Sequence, residues 1–184
     1  MLVNKEPSSD RGEFGSLDNL PQDVVKLLYN RKLKIATAES CTGGLISALI
    51  TGVPGSSEVF DLGVCTYSNN MKLALLGINP NDLAHHGAVS EVVAKQMADG
   101  VRRISNADIG ISTTGIAGPG GGTVTKPVGT VYVGVATGTE VKAILLTLKG
   151  ERDIIRMQSA LSALELVKNI LNDINEKKEN DYGI

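Results

Sequence analysis

TAESCTGG, residues 37–44, is the stretch around which the chain is organised. The segment Leu33 to Ala36 before it predicts a short strand, and apolar residues at helical spacing follow it. A polar, glycine-containing junction between a strand and a helix places free N–H groups at the carboxyl edge of a sheet, where helix N-termini bind anions. The junction therefore predicts a site at which the Ser40 hydroxyl or the Cys41 thiol meets a ligand, although helix capping by Ser40 or Thr42 explains the same residues.

Composition limits the classes of protein that this chain can represent. Its 184 residues suffice for one domain with a real core, and 42% of them are hydrophobic. Aromatic residues make up 3%, there is no Trp, and the net charge is 18 − 20 = −2. There is no basic excess and aromatic residues for base stacking are scarce, which argues against a nucleic-acid binder. A small phosphorylated ligand remains compatible, since one or two arginines suffice to bind it.

The termini and the cysteines indicate a cytoplasmic protein. Residues 1–15 contain no apolar segment of the kind found in a secretory signal, and no apolar run is long enough to span a bilayer, so we expect no membrane association. Cys41 and Cys65 are expected to be free thiols in a reducing compartment. We expect a loose arm over residues 1–15, one domain over 16–175 and a charged tail over 176–184.

The pattern of apolar residues and turn signals predicts the order α-β-α-β-α-α-β-β-β-α. Residues 80–86 are expected to form a connecting turn, and a long last helix is expected from about Glu151 to Ile174. Such an order is typical of the α/β class. It favours a three-layer α/β/α sandwich with a mixed, mostly parallel five-stranded sheet.

Three clusters of polar residues fall at predicted strand ends, where such a sheet keeps its sites. They are the Ser40 junction, residues 66–70 together with Lys72, and residues 113–115 with the glycine-rich run that follows them. A histidine base is disfavoured because His85 and His86 are adjacent in one turn, and neighbouring side chains rarely converge on one point. The spacing of Cys and His does not match a metal site, and the P-loop pattern is missing.

Lys72 is the alternative base for a serine nucleophile. A lysine can accept a proton when burial or nearby positive charge brings its pKa well below the usual value of about 10.4. Tyr67 lies one short turn earlier, and its hydroxyl can relay a proton between a lysine and a serine. The competing interpretation makes Tyr67 a filler at a strand end and Lys72 a solvated surface charge.

Arg152 and Arg156 are four residues apart at the start of the last predicted helix, so they lie on one face. Two arginines at a helix N-terminus oppose the helix dipole, and an anionic ligand such as a phosphate offsets that effect. Neutralisation by Glu151 and Asp153 explains the same pattern without a ligand.

Five blocks of the sequence, in order, resemble the C-terminal domain of the competence/damage-inducible protein CinA. The resemblance covers residues 17–174, and the blocks are TAESCTGG (37–44), GVCTYSNNMKLALLGI (63–78), HGAVSE (86–91), TTGIAGPGGG (113–122) and KPVGTVYVGVA (126–136). Stand-alone versions of that domain are nicotinamide-nucleotide amidohydrolases. The molybdopterin-binding-like N-terminal domain of the two-domain members is not expected here.

The resemblance implies hydrolysis of the carboxamide of nicotinamide mononucleotide to nicotinate mononucleotide and ammonia, a reaction of NAD salvage. The family's nucleophile falls on Ser40, and its tyrosine and lysine fall on Tyr67 and Lys72. A five-stranded mixed sheet and a homodimer are implied as well. No metal or organic cofactor is implied.

The resemblance also extends to residues that bind the substrate or the oxyanion formed during the reaction. We expect the backbone N–H groups from Thr42 to Gly44 to hold the oxyanion. The glycine run is expected to let the backbone approach the nucleotide, with Thr114 and one of the two arginines on the phosphate. The full expected set is Thr42, Gly43, Gly44, Asn69, Thr114, Gly115, Gly118, Arg152 and Arg156.

Two other functions fit the sequence. A cysteine amidohydrolase would use Cys41 as its nucleophile, because a helix N-terminus lowers the pKa of a thiol. A non-catalytic nucleotide-binding or protein-interaction module of the CinA type would keep the pocket without turnover. Retention of Ser40, Tyr67 and Lys72 together favours the enzyme.

Overall fold

The computed structural model describes residues 19–181, and the arm expected over residues 1–15 lies outside them. The elements in chain order are α1 Leu20–Arg31, β1 Ile35–Glu39, α2 Leu45–Thr51, a 3-10 turn Ser56–Glu58, β2 Phe60–Cys65, α3 Asn69–Leu76, α4 Pro80–His86, α5 Glu91–Ser105, β3 Ile109–Gly115, β4 Thr130–Ala136, β5 Val141–Thr147 and α6 Arg152–Asp181. No helix in this part of the chain is long and apolar enough to cross a membrane.

The five strands form one mixed sheet in the order β2-β1-β3-β4-β5. β1 is parallel to both β2 and β3, whereas β4 is antiparallel to both β3 and β5. The predicted fold class is therefore confirmed. Because β1, β2 and β3 run the same way, their carboxyl ends at Glu39, Cys65 and Gly115 meet at one edge of the sheet.

Helices cover both faces of the sheet, and alternation along β1 divides its side chains between two cores. Ile35 belongs to the core beneath α1, α2 and α6. Ala36 and Ala38 face the other core, together with residues of α3, α4 and α5. The period of two also sends Thr37 and Glu39 toward α2, and both are fully buried there.

β1 ends later than the sequence pattern indicated. The strand continues through Glu39, so the first three residues of the expected junction belong to the ladder, and the turn itself begins at Ser40. Pairing of β1 on both sides, with β2 and with β3, holds these residues extended. β3 likewise continues to Gly115, whereas the sequence pattern predicts a strand over residues 107–113.

Residues 80–86 form helix α4, and the expected turn there is wrong. Pro80 occupies the first helical position, where its missing N–H does no harm. The side chain of Asn79 accepts hydrogen bonds from the amides of Asn81 and Asp82 and thereby caps the helix. α6 also runs to Asp181, into the segment expected to be a tail.

Candidate active site

A cavity of about 200 Å³ lies at the carboxyl edge of the three parallel strands. Its walls are formed by Ser40, Cys41, Tyr67, Asn69, Lys72, Ala88, Val89, Thr114, Gly115, Ala117 and Arg152. All three predicted candidates for catalysis therefore border one space, together with four of the nine expected binding residues. The other five, Thr42, Gly43, Gly44, Gly118 and Arg156, do not line the cavity.

Ser40 and Lys72 form a buried pair. The Lys72 side chain is 1% exposed, and its Nζ lies 3.0 Å from the Oγ of Ser40. The backbone carbonyls of Thr66 and Tyr67 accept from the same nitrogen at 2.7 and 3.2 Å. Helix α3, capped by the Ser68 side chain, brings Lys72 back beneath the end of β2. The interpretation of Lys72 as a solvated surface charge is therefore wrong.

The burial of Lys72 favours the neutral amine. Burial lowers the pKa of the Lys72 amine, and the charge on an ionised Cys41 opposes this effect. An ammonium group has three N–H donors, so loss of one proton leaves two donors and one lone pair. Nζ lies within donating distance of the two carbonyls and of Ser40 Oγ. In the neutral amine the two carbonyls would take the two donors and leave the lone pair for the Ser40 hydroxyl. A lysine held in this way can act as a base toward Ser40 directly.

Tyr67 contributes its backbone to the buried pair, and its ring lies at the mouth of the cavity. The side chain is 67% exposed, and the hydroxyl lies 3.5 Å from an Arg152 nitrogen. Since Lys72 already contacts Ser40, the relay through the Tyr67 hydroxyl is not needed. The structure places that hydroxyl with Arg152, where the two groups frame the entrance.

Glu39 is the important residue that the sequence analysis missed. Its fully buried carboxyl group accepts from the amides of Gly44, Ile46 and Ser47 at 2.8–3.1 Å. The hydroxyls of Thr42 and Ser47 donate to it at 2.7 Å each. The available signal was an acidic residue at the end of a buried strand, just before a helix whose own N-cap position is glycine.

This arrangement changes the expected oxyanion site. The first amides of α2 already donate to a carboxyl group of the chain, so the Gly44 N–H is not available to a substrate. Gly43 and Gly44 have φ angles of +62° and +98°, which the tight turn requires. Their role is thus to shape the turn that presents Ser40. Ser40 and Thr42 do not cap α2 either, because the Thr42 hydroxyl bonds Glu39 instead.

The two arginines of α6 have different roles. Arg156 donates to the carbonyls of Cys41 and Thr42 at 3.3 and 2.8 Å, so it fixes the serine turn from outside. Arg152 lines the cavity, and one of its nitrogens donates to the Gly118 carbonyl at 2.7 Å. Asp153 lies 3.6 Å from a nitrogen of Arg156 and forms no ion pair with Arg152 among the described residues. Arg152 is therefore the arginine that borders the cavity.

Thr114 and Lys126 hold the opposite wall of the cavity. The Thr114 hydroxyl donates to the Ala88 carbonyl at 2.8 Å, so the expected donation of this proton to a phosphate does not fit. The Lys126 amine donates to the carbonyls of His86 and Val89 at 2.8 and 2.7 Å. These hydrogen bonds fix the position of the wall formed by Ala88 and Val89. The sequence did not indicate this role of Lys126.

Cys41 is a poor nucleophile in this setting. Burial raises the pKa of its thiol to about 11, and the negative charge of Glu39 adds to the increase. Hydrogen bonds from the Thr113 side chain and nearby amides oppose this only in part. Because the thiolate is the attacking species, a thiol with a raised pKa reacts slowly near neutral pH. The geometry favours Ser40.

Comparison with known proteins identifies the family. A profile described as the CinA C-terminal domain matches residues 17–171. A relative from Thermoanaerobacter sp. (strain X514), whose name includes the words competence-damage inducible protein, is 52% identical over 154 residues. A CinA-like protein from Anaeromyxobacter sp. (strain K) is 48% identical over 151 residues. These stretches are 84% and 82% of this chain, but the chain spans only 37% of the length of each relative.

A solved structure agrees with the profile. The crystal structure of the competence/damage inducible protein CihA from Agrobacterium tumefaciens superposes with a TM-score of 0.82 at 36% identity. The superposition covers 92% of this chain and 99% of that one. The chain belongs to the CinA C-terminal domain family.

Proposed function

We propose that this domain hydrolyses the carboxamide of nicotinamide mononucleotide to nicotinate mononucleotide and ammonia. The observation that carries the proposal is the buried Ser40–Lys72 pair with its separation of 3.0 Å. A nucleophile in hydrogen-bond contact with a base, at the wall of a cavity, is the arrangement that acyl transfer requires. A module that only binds nucleotide has no need for a buried lysine, whose burial opposes folding.

The chemistry proceeds in two stages. Lys72 removes the proton of Ser40 as Oγ attacks the amide carbon, and the resulting lysine ammonium protonates the leaving nitrogen as the carbon–nitrogen bond breaks. Ammonia departs and an acyl-serine ester remains. Water then attacks that ester with Lys72 again as base. This second attack releases the carboxylic acid and restores the Ser40 hydroxyl.

The walls of the cavity suit a flat ring that is attached to a charged nucleotide. Ala88, Val89 and Ala117 provide apolar surface in the wall of the cavity that Ser40 also lines. Arg152 and the Tyr67 hydroxyl lie at the entrance. We place the pyridine ring between the apolar walls and the phosphate on Arg152, since a guanidinium group matches phosphate geometry. The bond from Arg152 to the Gly118 carbonyl orients the guanidinium group for this contact.

Substrate preference tests this placement. Purified protein is expected to release ammonia from nicotinamide mononucleotide. Arg152→Gln should raise KM for the mononucleotide by about 10–100-fold, the effect of losing a charge-assisted hydrogen bond. KM for the corresponding nucleoside, which has no phosphate, should stay unchanged. Arg103→Gln is the matched control, because that guanidinium lies exposed on α5.

Two outcomes of this experiment would contradict the proposal. Absence of ammonia from the unmodified protein, under conditions in which it binds the mononucleotide, would remove the enzymatic function. An equal increase in KM for the nucleoside and the nucleotide in Arg152→Gln would instead show that Arg152 does not bind the phosphate. The Arg103→Gln control separates either outcome from a general effect of removing a positive charge.

A further inference from the structure

The proposed reaction needs hydrogen-bond donors for the oxyanion that forms when Ser40 attacks an amide. The N-terminus of α2 cannot supply them from Gly44 or Ile46, because those amides already donate to Glu39. The Thr114 hydroxyl likewise donates to the Ala88 carbonyl. Of the other residues expected to hold the oxyanion, Thr42 and Gly43 do not line the cavity. The end of β3, which does line it, offers a different donor.

The end of β3 provides a backbone N–H that faces the serine. Ile116 donates to the Thr130 carbonyl, so its N–H points toward β4. Successive N–H groups of a strand point to opposite sides, so the Gly115 N–H points toward β1. On that side, the Ser40 amide donates to the Thr113 carbonyl. In a parallel ladder the next bond would run from the Gly115 N–H to the Ser40 carbonyl.

That next bond is absent. Within residues 19–181, the Gly115 N–H makes no hydrogen bond to the Ser40 carbonyl, which is the acceptor on the side toward which it points. β1 ends at Glu39, and the chain turns away at Ser40, which leaves the position beside Gly115 open. Gly115 and Ser40 both line the cavity. This amide therefore borders the same space as the nucleophile.

We propose that the backbone N–H of Gly115 donates to the oxyanion formed when Ser40 attacks its substrate. The inference rests on the proposed amide hydrolysis, and it assigns a donor that the sequence had placed in the serine turn. A preorganised backbone N–H needs no rearrangement when charge develops, which is why such donors are effective. The group acts mainly in the transition state, so its removal should lower kcat and leave KM nearly unchanged.

A side-chain substitution cannot test this donor. A Cβ at Gly115 would lie 2.6 Å from Cγ2 of Val131 and 2.8 Å from the Thr130 carbonyl oxygen, so alanine would displace β4. Replacing the Gly115 amide by an ester, through incorporation of glycolic acid, removes the N–H and adds no atom. The matched control is the same replacement at Gly138, which is exposed and has no atom within 4 Å of its Cβ position.

The ester at Gly115 should lower kcat for ammonia release by about 10²–10³-fold, the usual effect of losing one oxyanion donor. The ester at Gly138 should have no effect. A kcat equal to that of the control, with an unchanged thermal midpoint, would overturn the proposal. A second readout uses the unmodified protein, in which the Gly115 amide proton should move downfield when pyridine-3-sulfonyl fluoride sulfonylates Ser40. An unmoved resonance would also overturn it.

The sulfonyl fluoride separates failure of this donor from failure of the proposed function. Ser40 Oγ forms a bond to sulfur, fluoride leaves, and the hydroxyl proton passes to Lys72, so labelling requires no carboxamide. Suppose that the unmodified protein releases no ammonia but the Gly115 ester slows labelling. The Gly115 N–H is then the oxyanion donor, and nicotinamide mononucleotide is not the substrate. If ammonia is released and the Gly115 ester slows neither ammonia release nor labelling, nicotinamide mononucleotide is the substrate and the Gly115 N–H is not the oxyanion donor.

Discussion

Lys72→Met should reduce kcat for ammonia release by about 10²–10⁴-fold, the contribution that a positioned general base usually makes. Methionine has a similar length but offers no lone pair of comparable basicity, so the Ser40 hydroxyl loses its proton acceptor. KM should change by no more than a few-fold, because Lys72 contacts the serine and two carbonyls. Steady-state ammonia assays measure both constants.

The matched control for this variant is Lys95→Met. Lys95 lies on α5 and pairs with Glu91, with its side chain 37% exposed. Its replacement should leave kcat unchanged. If Lys72→Met lost nucleotide affinity and rate in equal proportion, Lys72 would be a substrate contact and the base would have to be sought elsewhere.

The same variant should change how stability depends on pH. Burial lowers the pKa of Lys72 in the folded protein, so the unfolded chain binds the proton more tightly. The free energy of unfolding of the unmodified protein should therefore rise with pH until the ordinary lysine pKa of about 10.4 is reached. Lys72→Met lacks this contribution. Denaturant titrations at several pH values should show that the free energy of unfolding of the unmodified protein increases relative to that of Lys72→Met as pH rises.

Ser40→Ala should remove turnover almost completely, by on the order of 10⁶-fold, as when a serine hydrolase loses its nucleophile. Nucleotide binding should persist, since the ring and phosphate contacts do not use the hydroxyl. Cys41→Ala should keep most of the activity, because the raised pKa of that thiol makes it a weak nucleophile. Ammonia release and calorimetric binding on the two variants give the comparison.

The Ser40→Ala and Cys41→Ala variants together distinguish a serine nucleophile from a cysteine nucleophile. Activity that survives in Ser40→Ala and disappears in Cys41→Ala would assign the acyl-enzyme to the thiol. Losses in both variants with intact binding would point to a damaged turn. In that case Cys41→Ser, which preserves size and polarity, would show whether packing at residue 41 matters.

The fold was largely predictable from the sequence because hydrophobic spacing reports which face of an element is buried. The five strands, the long last helix and the layering all followed from that signal. The errors lie where helix capping by a side chain or pairing between strands decides the ends of an element. Asn79 and Pro80 turn an expected loop into α4, and ladder pairing on both sides extends β1 to Glu39.

The meeting of Ser40, Tyr67 and Lys72 at one cavity was predictable, whereas the binding residues and the assignment of hydrogen bonds were predicted only in part. Ser40 and Lys72 were expected to meet, and they do. The sequence carries no information on which acceptor takes each donor once side chains are packed. Glu39 therefore accepts from the Gly44 amide, which had been expected to hold an oxyanion, and Arg156 donates to the Cys41 carbonyl. These choices depend on three-dimensional proximity across elements that are distant in the chain.

The pH dependence of Ser40 sulfonylation by pyridine-3-sulfonyl fluoride tests the central claim most directly, because it requires no assumption about the natural substrate. Mass spectrometry of the peptide that contains Ser40 gives the labelling rate. We predict a rate that rises with pH through a single ionisation below the ordinary lysine pKa of about 10.4, and a slow, nearly flat profile in Lys72→Met. Equal rates in the two proteins at every pH would show that the Lys72 amine does not activate Ser40.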